Sequence, residues 1–262
     1  MIAIGAHVAK QKTLPKTVRS IVALLRGGPA QIFLGGPTTF RIKDVPDSEL
    51  AETNELLGNH GIPLFIHGPY VINLADPGTS EKFMPCLLKH LEIGSAIGAR
   101  GVVVHVGKHC NRFPCQEVAR NHMKIAIHEI LRESAATGNR SCPLLLETPA
   151  GQGTELLTKP RDFIDFALEI TYELTDQERS LFGICIDTCH VFASGTCPVD
   201  YLNQAMSKAK PLVKLIHFND SLGDCGSCVD RHAALCCGKI GREVLEKCAR
   251  IAYDHGVPLV TE

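Results

Sequence analysis

The sequence predicts an α/β fold, a (β/α)8 or TIM barrel. Eight short apolar runs are spread over 262 residues, and stretches with helical spacing fill most of the gaps between them. The runs are continuously apolar rather than alternating, as strands covered on both faces of a parallel sheet must be. A chain of this length holds eight such units in a single domain, residues 1–262.

Taken in order, the predicted strands are 2–6 (IAIGA), 31–34 (QIFL), 63–66 (PLFI) and 101–104 (GVVV), then 143–146 (PLLL), 183–186 (GICI), 213–216 (VKLI) and 258–260 (PLV). Helical periodicity falls at 17–26, 48–60, 81–98, 116–138, 161–174, 201–208 and 241–252. No helix-like stretch follows the eighth run, so the barrel is read as lacking its last helix. Either the chain continues past Glu262, or another element or subunit covers the apolar surface beside strands one and eight.

Composition narrows the class. Hydrophobic residues at 45% and charged residues at 21% fit a globular protein and exclude a disordered or collagen-like one. No apolar run approaches the roughly 18 residues of a membrane span, and the first residues lack a secretory pattern. Twelve scattered cysteines without such a signal read as mostly reduced thiols in a cytoplasmic or nuclear compartment. Cys225, Cys228, Cys236 and Cys237 lie close together, but the adjacent pair fits poorly with zinc-ligand spacing. The formal net charge of -1 excludes a generally basic surface, so any attraction for nucleic acid must be local.

The ends of the runs carry the chemistry. Run one is followed by His7, three by His67, four by His105, five by Glu147, six by Asp187, seven by His217 and eight, nearly at once, by Glu262. Only the second, at Gly35, offers no ligand-type group. With 28 acidic residues and 12 histidines in the chain, about 15% of positions, seven of eight far exceeds composition. A barrel brings these ends to one face, where active sites lie. Carboxylates crowded there would repel one another unless cations sat between them, so the set reads as a metal centre. Asp187-Thr-Cys-His190 and Asp230-Arg-His232 add further donors, more than one or two ions can use. Imidazole and carboxylate dominate over thiolate, which favours zinc, with manganese an alternative, in an open arrangement suited to in-line displacement at phosphorus.

These motifs resemble the endonuclease IV family of apurinic/apyrimidinic (AP) endonucleases, also called AP endonuclease family 2. The resemblance rests on IGAHV at 4–8, HGPYVINL at 67–74, HVGKH at 105–109, LETPAGQGTEL at 146–156, CIDTCHVFASG at 185–195, HFNDS at 217–221, VDRH at 229–232 and the terminal TE, all in the family's order. It covers nearly the whole chain. The resemblance implies three zinc ions per chain: His67 and His105 on the first, Glu147 bridging to a second completed by Asp187, His217 and Glu262, and His190, Asp230 and His232 on the third. It implies a hydroxide between the first two ions as nucleophile, with Glu147 and Glu262 as catalytic carboxylates. The substrate would be double-stranded DNA, cut 5′ to an abasic site in base-excision repair to leave a 3′-hydroxyl and a 5′-deoxyribose phosphate, by an enzyme with no obligate protein partner, a monomer. Three divalent ions among four carboxylates would leave the loaded centre positive by about two charges, enough to draw a phosphate to a protein with no net positive charge. Tyr70 would fill the gap left by an extruded abasic nucleotide, or else pack as an aromatic over the mouth. Lys108, Arg112 and Arg231 would meet phosphates. His7 and His109 would support the ligands or touch DNA. His60, His90, His122, His128 and His255 read as surface or satisfied core residues, and Asn219 and Asp220 as partners of the ligands.

Two departures stand out. The loop after the second run (GGPTTFR, 35–41) offers only Phe40 and Arg41 where relatives probe the minor groove with long polar groups, and HVGKH carries Val106 and Lys108 in place of proline and a small residue. Two rival readings are a metal-dependent sugar isomerase or epimerase on the same barrel and a lesion-binding protein without catalysis. The donor pairs in DTCH and DRH weigh against the first, and the complete ligand set against the second.

Overall fold

The computed structural model describes residues 4–262. Eight parallel strands close a barrel: β1 (Ile4–His7), β2 (Ala30–Phe33), β3 (Leu64–His67), β4 (Val102–His105), β5 (Leu144–Glu147), β6 (Phe182–Asp187), β7 (Val213–His217) and, after a small two-stranded antiparallel sheet of β8 (Asp220–Ser221) and β9 (His232–Ala233), β10 (Leu259–Thr261). Pairing of β1 with β10, Ile4 opposite Leu259, completes the closure. Residues 2 and 3 of the first predicted strand lie outside the described residues.

The connecting helices are α1 (Leu14–Leu25), α2 (Asp47–His60), α3 (Ser80–Ile97), α4 (Gln116–Ala136), α5 (Pro160–Tyr172), the short α6 (Asp176–Ser180) and α7 (Thr188–Ala193), α8 (Pro198–Ala209) and α9 (Arg242–His255). Helices α1 and α8 each begin three residues before the expected positions 17 and 201, for one reason: a proline occupies the first turn of both, where its missing N–H is no loss. In α1 the Thr13 side chain also accepts the Lys16 N–H and fixes the start. Two-residue β8 and β9 are too short to show a period, so no pattern announces them.

Burial follows the pleat. Phe65, Val103, Leu145, Cys185, Leu215 and Val260 form a separate apolar layer, one from each of six strands. The larger core, which includes Leu64, Ile66, Leu144, Leu146 and Ile184, packs between strands and helices. Alternation puts residues two apart on the same face of a strand, so His67, His105, Glu147, Asp187, His217 and Glu262 stand directly above that inner layer. The seam between β1 and β10 leaves Ile4 42% exposed while Leu259 and Val260 are buried. No helix among the described residues is long and apolar enough to cross a membrane.

Candidate metal centre

Most ligand-type residues are the last of their strands rather than the first beyond them: His67, His105, Glu147, Asp187 and His217 end β3 to β7 in turn. Glu262 directly follows β10, and its N–H donates to Asn219 Oδ1 at 2.9 Å. His190 arrives by a different device. Asp187 ends β6 and also caps α7, its Oδ1 accepting the His190 N–H at 2.8 Å. That cap is what the DTCH spacing encodes, since an N-cap side chain reaches the backbone N–H three residues on. Asp230 and His232 come from the segment that pairs back on β8 through β9, with Ser221 opposite His232. Asp220 holds the loop that follows β9: its buried carboxylate accepts N–H groups from Gly238 (2.9 Å) and Ile240 (3.0 Å). A Cβ on Gly238 would fall 2.4 Å from the Ser221 carbonyl oxygen, so only glycine fits there. Asp220 therefore holds a loop rather than a ligand, whereas Asn219 donates to Asp187 Oδ2 at 2.7 Å.

All nine predicted ligand residues converge. Ligand-type atoms of His67, His105 and Glu147 lie within 4.8 Å of one another, as do those of Glu147, Asp187, His217 and Glu262, and those of Asp187, His190 and His232. Glu147 joins the first two groups: its Oε2 is 3.3 Å from His67 Nε2 and 3.2 Å from His105 Nε2, and its Oε1 is 2.8 Å from His217 Nδ1. Asp230 Oδ1 lies 3.2 Å from Nε2 of both His190 and His232.

Cations fit this donor set on the structure's own terms. His67 Nε2, Glu147 Oε2, His190 Nε2 and His232 Nε2 are buried, and none makes a hydrogen bond. Buried polar atoms are almost always satisfied, and here four of the exceptions point at one another. The far ring nitrogens are anchored: His67 Nδ1 donates to the Gly68 carbonyl (2.6 Å) and His190 Nδ1 to the Thr148 carbonyl (2.8 Å), which leaves each Nε2 lone pair facing inward. Without cations, protons must do their work. Burial opposes charge on Glu147, but His217 and His105 outweigh it and hold the carboxyl well below its ordinary range. For Glu262 and Asp230, too, burial is overcome by histidines, His217 foremost for the former and His190 and His232 for the latter. Burial would discharge His190 and His217, yet Asp187 and Asp230 beside the first, and Cys185, Glu262 and Glu147 beside the second, raise both well above 6.5. Cys185, in the barrel floor, is itself pushed up to about 12 by burial.

Above the centre opens a cavity of about 550 Å³, lined by Tyr70, His105, Lys108, Gln152, Glu155, His190, Asp230, Arg231, His232 and Glu262. Tyr70 is 51% exposed, with its ring 5.3 Å from His67 edge-on and 5.4 Å from His105. Burial of its hydroxyl, helped by Glu262 and Glu147, raises its pKa and keeps it neutral. Lys108 Nζ is paired with Glu155 at 3.2 Å. His7 lies behind Glu262, its Nδ1 3.5 Å from Oε1, against the Phe33 ring. His109 is off this cavity, where its Nδ1 accepts the Asn111 N–H at 3.2 Å. Arg112 pairs with Asp76 at 2.7 Å. Arg41 lines a separate cavity of about 510 Å³ together with Lys10, Lys12 and Lys43, and Phe40 packs against the core. Sequence reasoning passed over Gln31, Phe33, Thr148 and those three lysines. His90 and His128 are buried with backbone acceptors, as expected of satisfied core residues. All twelve cysteines are free thiols.

Fold and donor set together define a xylose isomerase-like TIM barrel, and the family model of that description matches residues 30–262. The protein named probable endonuclease 4 of Symbiobacterium thermophilum is 33% identical over 267 residues, covering 99% of this chain and 92% of that protein. The crystal structure of endonuclease IV from Thermus thermophilus superposes with a TM-score of 0.82 at 27% identity, over 99% of this chain and 92% of that one. A D-tagatose 3-epimerase-like protein shares the fold alone, with a TM-score of 0.71 at 16% identity over 98% of this chain and 90% of that one. The chain belongs to the endonuclease IV family.

Proposed function

We propose that this protein is a zinc-dependent AP endonuclease of base-excision repair, acting inside the cell as a monomer. It hydrolyses the phosphodiester 5′ to an abasic site in double-stranded DNA, leaving a 3′-hydroxyl and a 5′-deoxyribose phosphate. The observation that carries this reading is the convergence of nine ligand-type side chains whose buried, unbonded nitrogen and oxygen atoms face one another. His67, His105 and Glu147 would hold one zinc, Glu147, Asp187, His217 and Glu262 the second, and His190, Asp230 and His232 the third. Manganese suits the carboxylate-rich second position best. Bound there, the cations neutralise charge building at phosphorus and raise the acidity of the attacking water.

The chain's own residues do the rest. Glu147 would serve two ion positions, since one of its oxygens faces His67 and His105 and the other faces His217. Tyr70, half exposed over His67 and His105, offers a ring to take the place of an extruded abasic nucleotide, whose missing base makes extrusion cheapest at the lesion. Lys108 and Arg231, at the cavity wall, meet the phosphates beside the cut. Arg41 joins Lys10, Lys12 and Lys43 in a basic patch at the loops after β1 and β2, suited to the strand beyond the lesion. His7 steadies Glu262, and His109 braces the loop after β4.

Elemental analysis paired with an incision assay on a duplex bearing one abasic analogue tests the reading. Three zinc ions per chain and a single cut on the 5′ side are expected. An intact duplex, or undiminished cutting by a metal-stripped sample, overturns it.

A further inference from the structure

Gln31 sits inside β2, fully buried, and is not itself part of the lining of the cavity above it. Its side chain nevertheless meets two residues of the centre and His7 behind them. Oε1 is 2.9 Å from His217 Nε2, while Nε2 is 2.7 Å from Glu262 Oε1 and 3.1 Å from His7 Nδ1. Chemistry fixes which way this amide points. Its NH2 must face the carboxylate, because the flipped amide would set an oxygen against Glu262 and a nitrogen donor against a ring N–H. His217 therefore keeps a proton on Nε2, and it is Nδ1, 2.8 Å from Glu147 Oε1 and 3.1 Å from Glu262 Oε2, that would give its lone pair to a cation.

This is the reverse of the arrangement at His67 and His190, whose Nδ1 atoms are tied to backbone carbonyls and whose Nε2 atoms face inward. Those two rings are oriented by neighbouring main chain. His217 has no such carbonyl, and a side chain 186 residues away in sequence supplies the acceptor instead. The same amide holds Glu262, another of the four members of the second donor group. We infer that Gln31 is a positioning residue for the second cation: it turns His217 to present Nδ1 and holds Glu262 within reach of the same ion, touching neither ion nor substrate. The inference rests on the zinc reading above and names a residue that sets the affinity of one ion position.

The test is zinc retention during dialysis against chelators of graded strength, with melting temperatures of the metal-free proteins measured alongside. Gln31→Met keeps the side chain's length and removes every hydrogen bond. Gln31→Glu keeps an acceptor for His217 but sets a second carboxylate against Glu262. Wild type is expected to keep three zinc ions under conditions where Gln31→Met keeps two, its weakest site loosened about 10–100-fold, the range for removal of such an outer partner. Gln31→Glu should lose the same ion at least as readily, and its metal-free form should melt within a few degrees of wild type. Wild-type retention by Gln31→Met overturns the inference and leaves the zinc reading standing. So does parallel loss of all three ions with a depressed metal-free melting temperature, which marks a merely structural residue. A wild-type protein that holds no zinc fails the underlying reading itself, and the inference with it.

Discussion

Glu147 shows how much one side chain is asked to do. Fully buried at the end of β5, it faces two imidazoles with one oxygen and a third with the other. Glu147→Gln keeps the shape but removes the charge and one acceptor. Incision of abasic duplex should fall by about 10²–10³-fold or more, the scale for removing one electrostatic partner of a transition state. Binding to the duplex, measured by fluorescence anisotropy, should change little. A variant that cut at the wild-type rate would remove Glu147 from the bridging role. This residue was legible in the sequence because a carboxylate at the end of PLLL is out of place in an apolar strand. Gln31 was not, although it too interrupts such a run: an amide at a strand's start reads as a boundary, and its meaning depends on His217 and Glu262, far away in the chain.

Among the elements, β6 and α7 explain why DTCH could be read so early. One aspartate ends a strand and caps a helix, so four residues fix the relative placing of two donors. The segment between β8 and β9 needed the structure, since what returns His232 to the rim is its pairing opposite Ser221, while the buried carboxylate of Asp220 gathers the N–H groups of 238 and 240 just beyond β9. The loops after β1 and β2 hid their meaning in another way. Lys10 and Lys12 sit on one, Arg41 and Lys43 on the other, and only the fold unites them. If they follow the DNA backbone, replacing all four by alanine should weaken binding to damaged and intact duplex alike. The slope of log K against log salt should shrink by about one for each phosphate no longer neutralised. An unchanged slope would free this patch of that role.

For the molecule as a whole, the metal-free barrel is held at its rim by protons. His190, His217 and His232 have raised pKa values and Glu147, Glu262 and Asp230 lowered ones, burial being outweighed in each by the opposite charges alongside. Raised histidines stabilise fully below 6.5, and that contribution is lost as pH climbs through their folded values. Lowered carboxylates stabilise fully above their ordinary range near 4, and that contribution is lost as pH falls from there through their folded values. The metal-free protein should therefore melt highest between about pH 5 and 6.5 and lower at pH 9. Zinc should flatten the alkaline side, because cations then replace the protons. Calorimetry in chelator and in zinc checks both halves, and a metal-free melting temperature that rose toward pH 9 would refute the assignment. The barrel itself was legible from eight apolar runs, while the early starts of α1 and α8 were missed because their first turns, which hold the prolines at 15 and 198, lie ahead of the apolar periodicity.

The six-residue hydrocarbon plug formed by Phe65, Val103, Leu145, Cys185, Leu215 and Val260 seals the cage from beneath. On the proposed function, ions and nucleic acid would then share the cavity above the rim, and a guest standing in it would bar the others. Order of addition becomes informative: a chelator introduced after abasic duplex should strip zinc more slowly than the same chelator introduced before it. Equal stripping rates would mean the cage leaks by some other route.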